Sequence, residues 1–229
     1  MKKCILIACV MLIAATTWSQ KPGKFGADLG MKTVMGKEIR VPYTDVNNYF
    51  GFIEPGAKPD EEKGGKKYYY VYIWIPAAAP EIGVRMISPV PESMKPEGND
   101  ITSESFKKNE SDNTSYFDTW ITLERAVNIV SLTDIQSKVS SANWVQLGYN
   151  DDCSELPAQP SGQKYNSLFR VTSNPGDPLK ALTVGLYRIG FTTFKTGAVQ
   201  GSFIAQIGAP VKLPGVKLSN TVAGLVSVK

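Results

Sequence analysis

Tyr68-Tyr69-Tyr70-Val71-Tyr72-Ile73-Trp74-Ile75 is an unbroken run of aromatic and β-branched side chains, free of glycine and proline. Such residues fit a pleated surface. Alternation places Tyr68, Tyr70, Tyr72 and Trp74 on one face and Tyr69, Val71, Ile73 and Ile75 on the other. Neither face is polar, so the run is predicted to be a strand buried on both sides. The four-aromatic row also admits a carbohydrate or ligand platform, but a core strand of a sandwich accounts for the same composition without a ligand.

Further short strands are predicted outward from this one, at residues 83–88, 120–125, 143–149, 168–173, 182–194 and 199–207. In the last of these Val199, Gly201, Phe203, Ala205 and Ile207 share the inward phase, with Gln200, Ser202 and Gln206 facing out. Lys195-Thr196-Gly197-Ala198 reads as the turn of a hairpin joining the final two strands. Within 182–194 the apolar phase changes from Leu182, Val184 and Leu186 to Tyr187, Ile189 and Phe191, which implies a bulge or a strand serving two surfaces. Residues 131–141 are the best helix candidate: Thr133 is placed to cap, Gln136 follows three residues on, and Ile135 and Val139 lie one turn apart. This helix is read as a crossover. Short strands without a βαβ rhythm argue for an all-β, antiparallel jelly-roll β-sandwich with one or two short helices. The expected organisation is a signal over 1–19, a loosely ordered arm or edge over 20–48 in which Val34 and residues 39–41 are the only strand candidates, and the sandwich over 49–229.

The start of the chain has the form of an export signal. Met1-Lys2-Lys3 is basic, residues 5–15 are apolar, and Thr17-Trp18-Ser19 offers small residues before a cleavage at Gln20. The apolar run is too short to span a bilayer. Leu6-Ile7-Ala8-Cys9 supplies an alternative, a lipobox after which Cys9 would carry acyl chains. Removing Lys2 and Lys3 leaves only a small positive excess, so no nucleic-acid partner is implied. The segment 164–229 is rich in lysine and arginine; it reads as a solvated edge or as a face for acidic partners or anionic lipid, a membrane-surface association.

Histidine is absent, which removes Ser-His and Cys-His catalysis and His-ligated zinc. With Cys4 and Cys9 in the signal, Cys153 has no disulfide partner, and neighbouring carboxylates push its thiol away from reactivity. A hydrolase using Glu124 with Asp151 or Asp152 would need two facing carboxylates, and no motif favours it. Oxygen-rich spots stand out instead: Asp118-Thr119 before one strand, the loop Asn150-Asp151-Asp152-Cys153-Ser154-Glu155 after another, and Tyr165 ten residues on. Hard cations take six to eight oxygens in flexible geometry, so strand-end loops meeting at one rim are suited to calcium.

Several runs taken together carry a resemblance. Tyr70-Val71-Tyr72-Ile73-Trp74-Ile75-Pro76-Ala77, Gly83-Val84-Arg85-Met86-Ile87-Ser88-Pro89, Phe117-Asp118-Thr119-Trp120-Ile121, Lys164-Tyr165-Asn166-Ser167-Leu168, Gly185-Leu186-Tyr187-Arg188-Ile189 and Gly201-Ser202-Phe203 occur in order. In these runs the sequence resembles the LipL32 family, the major surface lipoproteins of pathogenic Leptospira. The resemblance implies a calcium-binding jelly-roll at or near the outer membrane, with adhesion to extracellular-matrix proteins and no enzymatic activity. It also implies calcium ligands at Asp118, Thr119, Asp151, Asp152 and Tyr165. The chain departs from the family in its shorter acidic loop and in a short Val/Ser-rich tail.

Overall fold

The computed structural model describes residues 25–195 and 197–227. The expected signal, the cleavage before Gln20 and the lipidation at Cys9 lie outside the described residues. The decisive run forms strand β5, Lys66–Ile75, in a sheet that also holds β8 (Trp120–Ala126), β9 (Trp144–Asn150), β11 (Gly185–Thr192) and β13 (Lys217–Ser219). Its order is β13-β5-β11-β8-β9, and the short β4 (Glu61–Lys63) pairs with the start of β5. A second sheet runs β10-β6-β12-β3-β7, from β3 (Asp45–Ile53), β6 (Glu81–Ile87), β7 (Ile101–Thr102), β10 (Ser167–Thr172) and β12 (Gly201–Ala209). Within the two sheets all pairings are antiparallel except β3 with β7.

The two sheets face each other across one core, which makes the molecule an all-β sandwich. Val71, Ile73, Ile121, Leu123, Tyr187, Ile189 and Phe191 from one sheet meet Ile82, Val84, Met86, Phe203, Ala205 and Ile207 from the other. Phe203 sits at the centre, with its ring centroid 4.7 Å from Phe191 and 6.2 Å from Tyr49. Gly51 opposite it has to be glycine, because a Cβ there would lie 2.2 Å from the Phe203 ring.

The outer faces are covered as well, which explains why both phases of β5 are apolar. Trp74 packs with Leu186, with Ile135 of helix α2 (Ile135–Lys138) and with Leu225 of helix α3 (Val222–Ser227). Next to it the Arg188 guanidinium lies 3.8 Å from the Tyr70 ring centroid and 4.1 Å from that of Trp144, and donates to Glu124 at 2.6 Å. The aromatic row is therefore filled by the protein's own cation. On the other sheet Phe50, Ile87, Leu168 and Ile204 pack under Phe106 of helix α1 (Glu104–Lys108). Ser202 and Gln206, expected to face solvent, are buried on this covered side. In β11 the pairing with β5 and β8 is unbroken, so the change of phase at Leu186 and Tyr187 marks a strand serving two surfaces.

Three expectations need correction. The turn at residues 195–198 does not close a hairpin: β11 lies between β5 and β8 while β12 lies between β6 and β3, so the link crosses from sheet to sheet. Both strands already have two partners and no free edge for each other. Residues 20–48 are not a loose arm where they are described, since β1 (Gly26–Val34) and β2 (Lys37–Pro42) form an antiparallel hairpin and β3 begins at Asp45. The helix over 131–141 is a succession of short turns in which α2 spans four residues, and Ser131 Oγ engages the Thr133 hydroxyl at 2.8 Å in place of a cap. It joins neighbouring antiparallel strands and is no crossover.

Candidate metal centre

Asp118 and Thr119 lead into β8, and Asn150 ends β9, which pairs with β8 so that Asn150 lies opposite Ile121. Antiparallel pairing thus brings the residues before one strand beside the loop that follows the other. Thr119 locks this corner to the start of β10: its N–H donates to Tyr165 O at 3.0 Å, and its Oγ1 lies 3.0 Å from Tyr165 O and 2.8 Å from Ser167 Oγ. The Ser167 hydroxyl also reaches the carbonyl oxygens of Thr119 and Asp151. Thr119 is fully buried, whereas the Tyr165 side chain is exposed, so the oxygen that Tyr165 turns inward is its carbonyl.

The carboxylates gather on this latch. Asp118 is half-buried, and its Oδ1 is enclosed with no hydrogen-bond partner. Burial pushes its carboxyl up to about 6, and the charges of Asp152 and then Asp151 add to that, against the pull of Lys66 and Lys195. The Asp152 carboxyl is likewise raised, first by desolvation and then by Asp151. Lys66 answers with a charge held in place by the carbonyls of Thr193 and Phe194, at 3.2 and 2.7 Å, and its Nζ stands 3.3 Å from the Trp120 ring centroid. Asn150 Oδ1 is a second enclosed oxygen without a partner.

The five expected ligands therefore converge on one corner, with different parts to play. Asp118, Asp151 and Asp152 supply charge, while Thr119 and Tyr165 supply a hydrogen-bonded frame. Among the described residues no three carboxylate, cysteine or histidine side chains form a metal-binding group by themselves. A cation here would have to draw on amide and carbonyl oxygens too. Two neighbours escaped the sequence reading as site residues: Lys66, whose proximity depends on the third dimension, and Asn150, which the acidic loop contained but did not single out. Glu155 of that loop points elsewhere, its carboxylate bridging Arg40 at 2.8 Å and Arg170 at 3.1 Å. Cys153 is half-buried against the Phe50 cluster, and its thiol is pushed up, by burial first.

Comparison with known proteins gives the architecture a family. The family described as Lipl32, surface lipoprotein of the Spirochaetales order, matches residues 37–218. The chain belongs to the LipL32 family. The match runs from the first residue of β2 into β13 and takes in Asp118, Thr119, Asp151, Asp152 and Tyr165. LipL32 membership makes this an exported cell-surface protein of a lipid-anchored kind, and LipL32 is not a known enzyme family. No curated protein matches the chain.

Proposed function

We propose that this LipL32-family chain is a calcium-binding surface lipoprotein in which Asp118, Asp151 and Asp152 hold one Ca2+ with oxygens from Asn150, Thr119 and Tyr165. The observation that carries this reading is the enclosed, unpartnered Asp118 Oδ1 beside two further carboxylates. A buried acceptor without a donor is costly, and a hard cation is a partner that also relieves the repulsion among the acids. The Thr119 carbonyl has a lone pair beyond its bond from the Ser167 hydroxyl, and the Tyr165 carbonyl frees one when the Thr119 hydroxyl donates to Ser167 Oγ in its place. Calcium should raise the melting temperature, with a stabilisation of about 2.7 kcal/mol at a free concentration one hundred times the dissociation constant. Magnesium should do much less, because it requires a small octahedral shell. The double substitution Asp151→Asn/Asp152→Asn should abolish the shift, and identical melting in calcium and in chelator would remove the site.

In this reading the protein is a binding module and not a catalyst. Glu124, the carboxylate a hydrolase would need, is held by Arg188 at 2.6 Å in the aromatic stack. Adhesion to extracellular-matrix proteins is the role that the LipL32 resemblance implies, and it is tested by capture on immobilised matrix proteins with calcium and with chelator. Family membership also favours Cys9 over cleavage before Gln20 as the processed N-terminus, since Leu6-Ile7-Ala8-Cys9 supplies a lipobox. The mass of the exported chain distinguishes an acylated Cys9 from an unmodified Gln20.

A further inference from the structure

The β1–β2 hairpin presents an unusual tip. Val34 pairs with Lys37, so Met35 and Gly36 alone make the turn, and both have positive φ, 51° and 74°. Such two-residue turns favour Asn, Asp or Gly, whereas a bulky side chain at positive φ is strained. Met35 nevertheless occupies the first position, and it is 97% exposed. Its side chain neither suits the turn nor joins a core, which points to a contact outside the chain.

The rest of the distal hairpin has the same character. Every residue from Met31 to Ile39 is exposed. The cross-strand pairs Lys32 with Ile39 and Val34 with Lys37 place two apolar side chains and two lysines on one face, with Met35 at the end. The base is pinned to the sandwich: Arg40 bonds Asp28 and Glu155, Arg170 bonds Glu155 and the Gly26 carbonyl, and the buried Glu81 carboxylate accepts the N–H groups of Asp28 and Leu29. An apolar tip flanked by lysines on a fixed base suits the boundary between anionic headgroups and acyl chains.

We propose that the hairpin tip, Met35 with Val34 and Ile39, inserts into the headgroup region of an anionic membrane while Lys32 and Lys37 meet its phosphates. The occupant is argued from that charge pattern and from the tether. The proposal rests on the anchored-lipoprotein reading only for how the membrane comes near: a chain from Cys9 to Phe25 reaches at most about 55 Å, and it arrives at the hairpin base.

The test is made without the anchor. A chain beginning at Gln20, which holds every described residue, is sedimented with vesicles of phosphatidylcholine alone or mixed with phosphatidylglycerol. It should bind the mixed vesicles, and Lys32→Gln/Lys37→Gln should weaken this about twenty-five-fold, at about fivefold per lysine. Met35→Asn is the discriminating variant. Asn suits the turn, so melting should be unchanged or raised, while vesicle binding falls about tenfold with the loss of the buried side chain. Binding to neither vesicle, or equal binding by Met35→Asn, would overturn the proposal. So would oxidation protection of Met35 that rises with protein concentration in the absence of vesicles, the sign of a second copy on the tip. Failure of the lipoprotein reading shows separately, in the N-terminal mass of the exported chain.

Discussion

Replacing Asp118 with Asn should make the calcium-free protein more stable and the calcium-loaded protein less so. Burial and two neighbouring carboxylates hold the Asp118 carboxyl at about 6 against an ordinary 3.8, which makes its ionised form cost at most about 3 kcal/mol at neutral pH before solvent screening. Asn removes that charge and leaves the enclosed oxygen as unpartnered as before, and solvent screens part of the cost at a half-buried group, so the net gain is about 1–2 kcal/mol. At about 2–4 °C per kcal/mol for a domain of this size, the calcium-free variant should melt several degrees above the parent. Saturating calcium should reverse the order, because only the parent gains its binding energy. The sign of the pH dependence follows from the raised value. The folded state holds this proton more tightly than the unfolded chain, so the destabilisation is absent well below pH 3.8 and complete above pH 6. In calcium-free buffer the gap between variant and parent should close toward pH 4 and be open at pH 7. Calorimetry across that range decides it: a variant that melts lower at pH 7, or a gap indifferent to pH, would refute the electrostatic account of the corner.

Phe203→Ala should lose about 3–5 kcal/mol in urea unfolding, since the ring is 2% exposed and packs between Phe191 and Tyr49. Arg188→Met should cost about 3–5 kcal/mol by leaving Glu124, 6% exposed, as a buried charge; adding Glu124→Gln should restore much of it in a double-mutant cycle. Cys153→Ser should change unfolding free energy by no more than about 1 kcal/mol and leave calcium-dependent melting intact, because the thiol is half-buried and unbonded to another cysteine.

What the sequence disclosed, and what it withheld, follows the reach of each signal. The run at β5 showed both its faces because a strand covered on two sides carries apolar residues in both phases. The alternation of β12 is equally legible, yet alternation names a face and not a neighbour, so it does not distinguish a hairpin from β11 from the crossing between sheets that the fold contains. The β1–β2 hairpin was hidden by its own irregularity: the register shifts between Ala27 and Lys32, which breaks the period on which the reading depends. At the metal corner, Asp118-Thr119 and Asp151-Asp152 were visible as oxygen donors at strand ends. Lys66 was not, because its place there depends on β5 running past the Trp120 ring.

The position at which the tether enters has a mechanical consequence. Gly26 opens β1 and pairs with Pro42, after which the chain turns into β3 of the sandwich. Tension arriving through Phe25 therefore pulls the hairpin open one rung at a time, instead of shearing a whole strand at once. The rungs at that end are the ones cross-braced, by Arg170 on the Gly26 carbonyl at 2.7 Å and by the Glu81 carboxylate under Asp28 and Leu29. A cell-surface protein held at its N-terminus under flow would yield first at these braces. The hairpin would then pay out as slack while both sheets remained closed around Phe203.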